Sequence, residues 1–161
     1  LKLYSKTIQS SFLHYGFWDD PENIDLSTLS LQDIRNAQYR YIDHLASFIP
    51  KETKSILDVG CGIGGNASFL LKKGYSLEAL SPDSYQKSVI LEKFKQDVIF
   101  HHCKFEDFKS KTIFDLILES ESTCYIDIHQ GFKKARKVLR EGGYLLASDY
   151  FVFYRDLPHL D

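Results

Sequence analysis

The sequence predicts an α/β fold built on a doubly wound, mostly parallel sheet. Three observations support this: apolar runs of strand length recur along the chain, helical segments separate most of them, and a glycine-dense turn follows the first run. Strands that alternate with helices form parallel sheets, because a helix carries the chain back to the edge where the next strand starts. The chain of 161 residues shows no repeat or linker, so we expect a single domain.

The first predicted element is a helix within residues 1–50. Ser30 and Asp33 have the spacing of a capping box, and apolar residues then recur at helical spacing until Pro50. Aromatic residues crowd the preceding stretch, and they either form a lid over a ligand or cover the edge of the sheet. We expect residues 1–50 to form an N-terminal helical lid segment on a cofactor-binding α/β core of residues 51–161.

The core is predicted to contain five strands with helices between most of them. The strands lie at about 55–60, 75–80, 97–101, 114–118 and 144–148. One helix covers residues 66–73 and ends at Gly74. The next is capped by Ser81, begins with Pro82 and buries Tyr85, Val89, Ile90 and Phe94. The last runs from Asp127 to the glycine pair 142–143 and buries Phe132, Ala135 and Leu139.

The glycine-dense turn after the first strand is the strongest signal of a ligand site. Glycines let the backbone turn sharply and approach a ligand, and the helix that follows points its N-terminal amides at the same place. Gly60, Gly62 and Gly65 fit the dinucleotide spacing G-x-G-x-x-G, whereas Gly60, Gly62 and Gly64 fit the G-x-G-x-G of proteins that use S-adenosylmethionine. The spacing alone therefore leaves two cofactors open.

A carboxylate inside the first strand favours one of them. Asp58 precedes the first glycine by two residues, where burial costs free energy unless a donor reaches the carboxylate. A cationic amino acid nucleoside would supply donors, whereas a pyrophosphate would be repelled. Asp58 therefore favours S-adenosylmethionine, with an aspartate that merely caps its own turn as the alternative.

Composition excludes several classes of partner. A net charge of −2 gives no basic field for nucleic acid. Without an apolar run of the roughly 20 residues that span a bilayer, we expect no membrane insertion. Three scattered cysteines, without paired histidines, indicate neither a disulfide framework nor a metal site. We therefore expect a cytoplasmic protein, whose oligomeric state the sequence leaves undetermined.

The order of these motifs resembles the class I S-adenosylmethionine-dependent methyltransferases, and more narrowly the small-molecule group of tocopherol, sterol and natural-product methyltransferases. The stretches that carry the resemblance are His14-Tyr15-Gly16-Phe17-Trp18, Ala37-Gln38, Asp58 to Gly65, Leu80-Ser81-Pro82, Phe114-Asp115-Leu116-Ile117 and Val138 to Tyr144. The resemblance implies a Rossmann-like methyltransferase fold and methyl transfer to an O, N or C atom of a small, partly apolar acceptor.

The resemblance also implies roles for residues at the matching positions. The implied cofactor contacts are Tyr15, Gly16, Asp58, Gly60, Cys61, Gly62, Gly64, Leu80, Ser81, Pro82, Phe105 and Glu119. A hydroxyl acceptor would benefit from a base. The candidates near the carboxyl ends of the strands are Glu121, His129 and Asp149, with His14 from the lid.

Some positions depart from the family pattern. Ala79 stands where an acid often binds the ribose, and Lys104 stands where an acid often lies near adenine. The chain also stops soon after the fifth strand, so we expect a sheet that lacks the last strands of the family. A noncatalytic relative or a fragment of a methyltransferase is the alternative, and an NAD(P)-dependent oxidoreductase is a less favoured one.

Overall fold

The computed structural model describes residues 2–150 and contains the predicted parallel sheet. The helices are α1 (Lys2–Ile8), α2 (Leu31–Ala46), α3 (Gly65–Lys72), α4 (Ser84–Phe94) and α5 (Ile128–Val138). The strands are β1 (Ser55–Val59), β2 (Ser76–Leu80), β3 (Val98–His101), β4 (Phe114–Ser120) and β5 (Leu139–Ser148). Short 3₁₀ turns occur at Pro21–Asn23 and Thr123–Tyr125. Residues 151–161 of the predicted core lie outside the described residues.

The five strands are arranged in the order β3-β2-β1-β4-β5, and every neighbouring pair is parallel. The order reverses direction at β1, because the chain moves outward through β2 and β3 and then returns to place β4 on the other side of β1. Sheets of this topology bind ligands in a crevice at the carboxyl edge beside that reversal, where the loops after β1 and β4 meet. Among the described strands, β5 lies at an edge and pairs with β4 alone.

Two apolar clusters hold helices on opposite faces of the sheet. Alternate residues of β1 point to opposite faces, so Ile56 packs with α2, α3 and α4 while Leu57 packs with α5. By the same alternation Asp58 shares the face of Ile56, and Val59 shares the face of Leu57. Nearly every residue of β1 is buried, as expected for a central strand covered on both sides.

The predicted cap of α2 is confirmed, and the predicted cap of α4 is wrong. Ser30 and Asp33 form the capping box at the start of α2. The side chain of Asp83, and not that of Ser81, caps α4 by accepting a hydrogen bond from the Gln86 N–H at 2.7 Å. Ser81 instead accepts from the Asp83 N–H at 3.1 Å, which places Pro82 in the turn before the helix.

The end of α5 also differs from the prediction. The helix stops at Val138, and Leu139 already belongs to β5. The register of the β4–β5 ladder shifts between the Phe114 and Leu116 pairs, so the glycine pair 142–143 lies inside the strand instead of ending the helix. Phe132 is 59% exposed rather than buried. It lies beside the buried stripe of α5, which Gly131, Ala135 and Val138 form.

Asp115 joins the amino ends of three strands by hydrogen bonds. Its Oδ2 accepts from the backbone N–H groups of Lys54 and Ser55, both at 2.9 Å, and the Arg140 Nε donates to its Oδ1 at 2.7 Å. These donors, the backbone N–H groups first, hold the pKa of Asp115 well below its usual range. The ionised carboxylate thus ties β4 to the start of β1 and to β5.

We predict that Asp115→Asn lowers the free energy of unfolding at pH 7 by about 1–3 kcal/mol, because it removes a charged hydrogen-bond acceptor. Urea unfolding measures this effect. A carboxyl with a depressed pKa stabilises the fold above its unfolded value of 3.8, so the difference between the variant and the wild type should shrink as the pH falls below that value. The exposed Asp97 offers a matched control, since Asp97→Asn should change little.

Candidate functional site

The glycine turn after β1 lies at the crevice and contacts the ends of two neighbouring strands. The N–H groups of Gly60 and Cys61 donate to the carbonyl of Leu80 at 3.0 and 3.3 Å, which fixes the turn to the end of β2. Gly60 has a φ of +74°, and a Cβ added there would lie 2.4 Å from the Cβ of Ser122 in the loop after β4. Only glycine fits this position.

Asp58 is buried beside this turn without a protein partner. Its side chain is 1% exposed, and neither carboxylate oxygen has a hydrogen-bond partner within residues 2–150. Burial raises the pKa of Asp58 to about 7. A carboxylate in this state gains free energy from any donor that reaches it, and most from a cationic one. The donors that an amino acid nucleoside carries fit this requirement.

The N-terminal segment lies on the glycine turn. A Cβ added to Gly65 would come within 2.5 Å of the Phe12 ring, and one added to Gly62 would lie 3.1 Å from Leu13 Cδ1. Hydrogen bonds fasten the same segment to α2. The Gln38 side chain donates through Nε2 to the His14 carbonyl at 2.8 Å, and the Phe17 N–H donates to the Ala37 carbonyl at 2.9 Å. The segment therefore lies where the predicted lid should be, although its function as a lid stays a prediction.

His14 connects this segment to α2. Its ring lies between Phe12 and Tyr41, with centroid separations of 5.1 and 4.1 Å. Neither ring nitrogen has a hydrogen-bond partner in the part of the chain that the structure describes, and burial lowers the pKa of His14 to about 4. The imidazole is therefore neutral at pH 7, which makes it a weak base there.

Glu121 is a candidate base that contacts the N-terminal segment. It follows β4 directly and has a φ of +52°, a strained value for a residue with a side chain. The Tyr15 backbone N–H donates to its carboxylate, but burial has the larger effect and raises the pKa of Glu121. A half-buried carboxylate with a raised pKa accepts protons more readily than an exposed one.

The other two candidate bases have different surroundings. Asp149 uses its two carboxylate oxygens to accept from the backbone N–H groups of Cys124 and Tyr150, at 2.9 and 2.7 Å. His129 is exposed near the start of α5. Both carboxylate oxygens of Asp149 thus accept backbone hydrogen bonds, one of which holds the loop after β4, whereas the His129 side chain is exposed to solvent.

Several predicted cofactor contacts lie at the crevice, and others are less accessible. Ser81 and Pro82 follow β2 directly, but Ser81 is only 3% exposed, whereas Tyr15 is 78% exposed. Phe105 is only 2% exposed and packs in the core on the α5 face, so its predicted stacking on adenine stays untested. Glu119 faces the same side, where Thr123 Oγ1 donates to it at 3.0 Å. Burial, more than any neighbouring charge, raises the pKa of Glu119.

Tyr41 is a further residue at this edge of the sheet, and no sequence motif marks it as a site residue. Its hydroxyl accepts a hydrogen bond from Ser120 Oγ at 3.4 Å and is also hydrogen-bonded to Ser148, so it reaches the carboxyl ends of β4 and β5. The only available signal was a polar tip on the apolar stripe of α2. Burial, the largest influence, raises the pKa of Tyr41 and keeps the hydroxyl protonated at neutral pH.

Three features are typical of the nucleotide-cofactor-binding α/β class: a parallel doubly wound sheet, a glycine turn where the strand order reverses, and a buried acid beside it that has no hydrogen-bond partner within residues 2–150. Residues 34–159 match the model of a family described as a methyltransferase domain. The chain belongs to this family, as the sequence resemblance predicted. None of the helices in residues 2–150 is long and apolar enough to cross a membrane.

Individual relatives agree with this assignment. The chain is 27% identical over 148 residues to the methyltransferase GfsG of Streptomyces halstedii, an alignment that covers 87% of this chain and 51% of GfsG. It is 33% identical over 73 residues to the chloroplastic tocopherol O-methyltransferase of Arabidopsis thaliana, covering 41% of this chain and 20% of that protein. The chain thus spans about half the length of GfsG.

A solved structure confirms the fold. Geranyl diphosphate C-methyltransferase from Streptomyces coelicolor A3(2), determined with Mg²⁺, geranyl diphosphate and S-adenosyl-L-homocysteine, superposes with a TM-score of 0.70 at 19% identity. The match covers 88% of this chain and 57% of that one. These findings support the predicted Rossmann-like methyltransferase fold and do not favour the oxidoreductase or noncatalytic alternatives.

The burial of His14 generates a prediction about pH. His14 takes up a proton near pH 6.5 in the unfolded chain but only near pH 4 in the folded chain. As the pH falls between those values, His14 therefore lowers the stability of the fold. The loss amounts to about 3 kcal/mol. We expect His14→Phe to remove this part of the pH dependence in chemical unfolding experiments, because phenylalanine keeps a ring between Phe12 and Tyr41.

His129→Phe is the matched control. Because His129 is exposed, its replacement disturbs no buried contact and controls for the loss of one histidine. Identical pH profiles for wild type and His14→Phe would contradict the assignment of a neutral, buried His14.

Proposed function

We propose that this chain is the cofactor-binding part of an S-adenosylmethionine-dependent methyltransferase that acts on an O, N or C atom of a small, partly apolar acceptor. The observation that carries the proposal is the buried carboxylate of Asp58, which has no partner in the described residues and lies beside the glycine turn. Family membership supports methyl transfer. A cytoplasmic location remains part of the proposal.

The cofactor contacts follow from the crevice. Asp58 would receive the amino group of the cofactor, and the backbone of the turn 60–64 would contact its amino acid and ribose portions. In the ligand-free fold, Ser122 packs on Gly60 and Leu13 packs on Gly62. Leu80, Ser81 and Pro82 would flank the nucleoside, and Tyr15 and Gly16 would cover the amino acid end. When bound, S-adenosylmethionine supplies a methyl group that its sulfonium charge activates. The S-adenosylhomocysteine complex of the structural neighbour supports this cofactor.

The residues of this chain would then position the acceptor, exclude water and accept a proton. Positioning alone contributes about 7–11 kcal/mol in well-oriented reactions. The N-terminal segment would exclude water, since it already lies on the glycine turn. We assign the role of base to the Glu121 carboxylate, which is half-buried and has a raised pKa, whereas Asp149 holds a loop by hydrogen bonds and His129 is exposed. The names of two similar proteins, tocopherol O-methyltransferase and geranyl diphosphate C-methyltransferase, refer to molecules with an apolar body, which supports an acceptor of that kind.

The role of Asp58 can be tested by counting protons. Since its pKa is about 7 in the ligand-free fold, most copies carry a proton at pH 6. A cationic ligand would expel that proton, so S-adenosylmethionine binding should release close to one proton per site at pH 6. Calorimetry in buffers of different ionisation enthalpy measures the release.

Asp58→Asn should abolish the proton release and weaken S-adenosylmethionine binding by about tenfold to a hundredfold, a loss typical of a charged hydrogen bond. The same variant should be more stable than the wild type at pH 8, because ionisation of a buried acid opposes folding above its unfolded pKa. Binding of wild-type strength in Asp58→Asn would remove the assignment.

The role of Glu121 predicts a loss confined to turnover. Glu121→Gln should lower kcat by about 10²–10⁴-fold, the usual contribution of a general base, with S-adenosylmethionine affinity unchanged within about threefold. Transfer of a radiolabelled methyl group to a panel of apolar alcohols and phenols measures kcat. Exposed Glu92 on α4 provides the control Glu92→Gln, and full activity of Glu121→Gln would exclude the base.

A further inference from the structure

A groove of about 440 Å³ lies between α2 and the neighbouring face of β5. Its walls include Phe17 from the N-terminal segment, Tyr41 and His44 from α2, Phe48 from the turn after α2, and Leu146 and Ser148 from β5. None of these residues belongs to the cofactor contacts described above. The groove therefore offers a second binding space beside the crevice.

The outer part of the groove is aromatic. The ring of Phe17 stacks on His44, with centroids 4.7 Å apart and an interplanar angle of 20°. The ring of Phe48 meets His44 edge-on at 5.2 Å, and its side chain is 61% exposed. Rings that are held against one another but open to solvent on one side suit a flat apolar ligand, which gains free energy by covering them.

The inner end of the groove is polar. The Tyr41 hydroxyl lies there and is hydrogen-bonded to Ser120 and Ser148, at the carboxyl ends of β4 and β5. Ser148 also accepts a hydrogen bond from the backbone N–H of Glu121 at 2.7 Å, so the residue that carries the candidate base adjoins this wall of the groove. A molecule in the groove would therefore have its apolar body among the rings and its inner end beside Glu121.

We propose that the groove binds the methyl acceptor, an aromatic or similarly flat apolar molecule that carries a hydroxyl group, and that Tyr41 positions this hydroxyl. The inference rests on the proposed methyltransferase function and adds the substrate class. The volume falls within the roughly 300–1,000 Å³ of small-molecule sites. Those sites also combine mostly apolar walls with a few polar groups that fix orientation. Continuity with Glu121 favours the acceptor over an unrelated ligand.

The test uses 2-naphthol as the probe, with naphthalene as its analogue without a hydroxyl. Binding to the 161-residue chain is measured by fluorescence, with saturating S-adenosylhomocysteine. We expect Phe48→Ala to weaken 2-naphthol binding at least fivefold. Tyr41→Phe should weaken 2-naphthol at least fivefold and leave naphthalene within twofold, because it removes only the hydroxyl contact.

Phe132→Ala is the matched control. Phe132 is 59% exposed, like Phe48, but lies on α5 at the opposite face of the sheet, so its removal should leave 2-naphthol binding unchanged. Equal losses in Phe48→Ala and Phe132→Ala, an unaltered affinity in Phe48→Ala, or no binding of 2-naphthol to the wild type would overturn the inference. An equal loss of naphthalene and 2-naphthol in Tyr41→Phe would overturn the role of Tyr41.

Calorimetric titration of each variant with S-adenosylhomocysteine separates this inference from the proposed function. Cofactor affinity should stay within twofold of wild type in Phe48→Ala and Tyr41→Phe. Absence of cofactor binding by the wild type would overturn the proposed function. Normal cofactor binding without binding of 2-naphthol would overturn only the proposed acceptor site.

Discussion

The central constraint on this structure is the burial of the Asp58 carboxyl group, which has no hydrogen-bond partner within residues 2–150. Asp58 belongs to the central strand, and its neighbours in β2 and β4 are the apolar Ala79 and Leu118. An apolar residue there would make the sheet more stable, so the acid is a cost that packing of the surrounding core has to offset. Buried ionisable groups of this kind concentrate at functional sites, where a ligand provides the missing interaction.

The topology explains why this acid can serve a site at all. Reversal of the strand order at β1 separates the loops that follow β1 and β4, and the two loops still touch where Ser122 packs on Gly60. The N-terminal segment then covers the turn from above, fastened to α2 by Gln38 and stacked on it through His14. Three stretches of the chain thus meet at the turn beside Asp58, and each is held by contacts that do not involve a ligand.

Much of this arrangement could be predicted from local patterns. The alternation of strands and helices, the capping box at Ser30 and the glycine turn beside Asp58 all depend on short-range chemistry. Other features depend on contacts between distant residues. Ser81 and Asp83 are both residue types that cap helices. Ser81 accepts a hydrogen bond from the Asp83 N–H and closes a turn before α4, so Asp83 becomes the cap of the helix. The glycine pair 142–143 is typical of a helix end, yet the register shift against β4 carries it into a strand. The reach of Tyr41 to Ser120 likewise needed the packing of α2 on the sheet.

The position of β5 has a consequence for how the protein behaves in solution. Within residues 2–150 this strand of ten residues pairs on one side only, with β4, and Tyr144 on it is 46% exposed. A long strand with a free row of backbone donors and acceptors is a template for another chain in extended conformation. Unless some other polypeptide shields that row, concentrated samples should self-associate through it, and lysine or proline substitutions along its solvent side should keep the molecules apart.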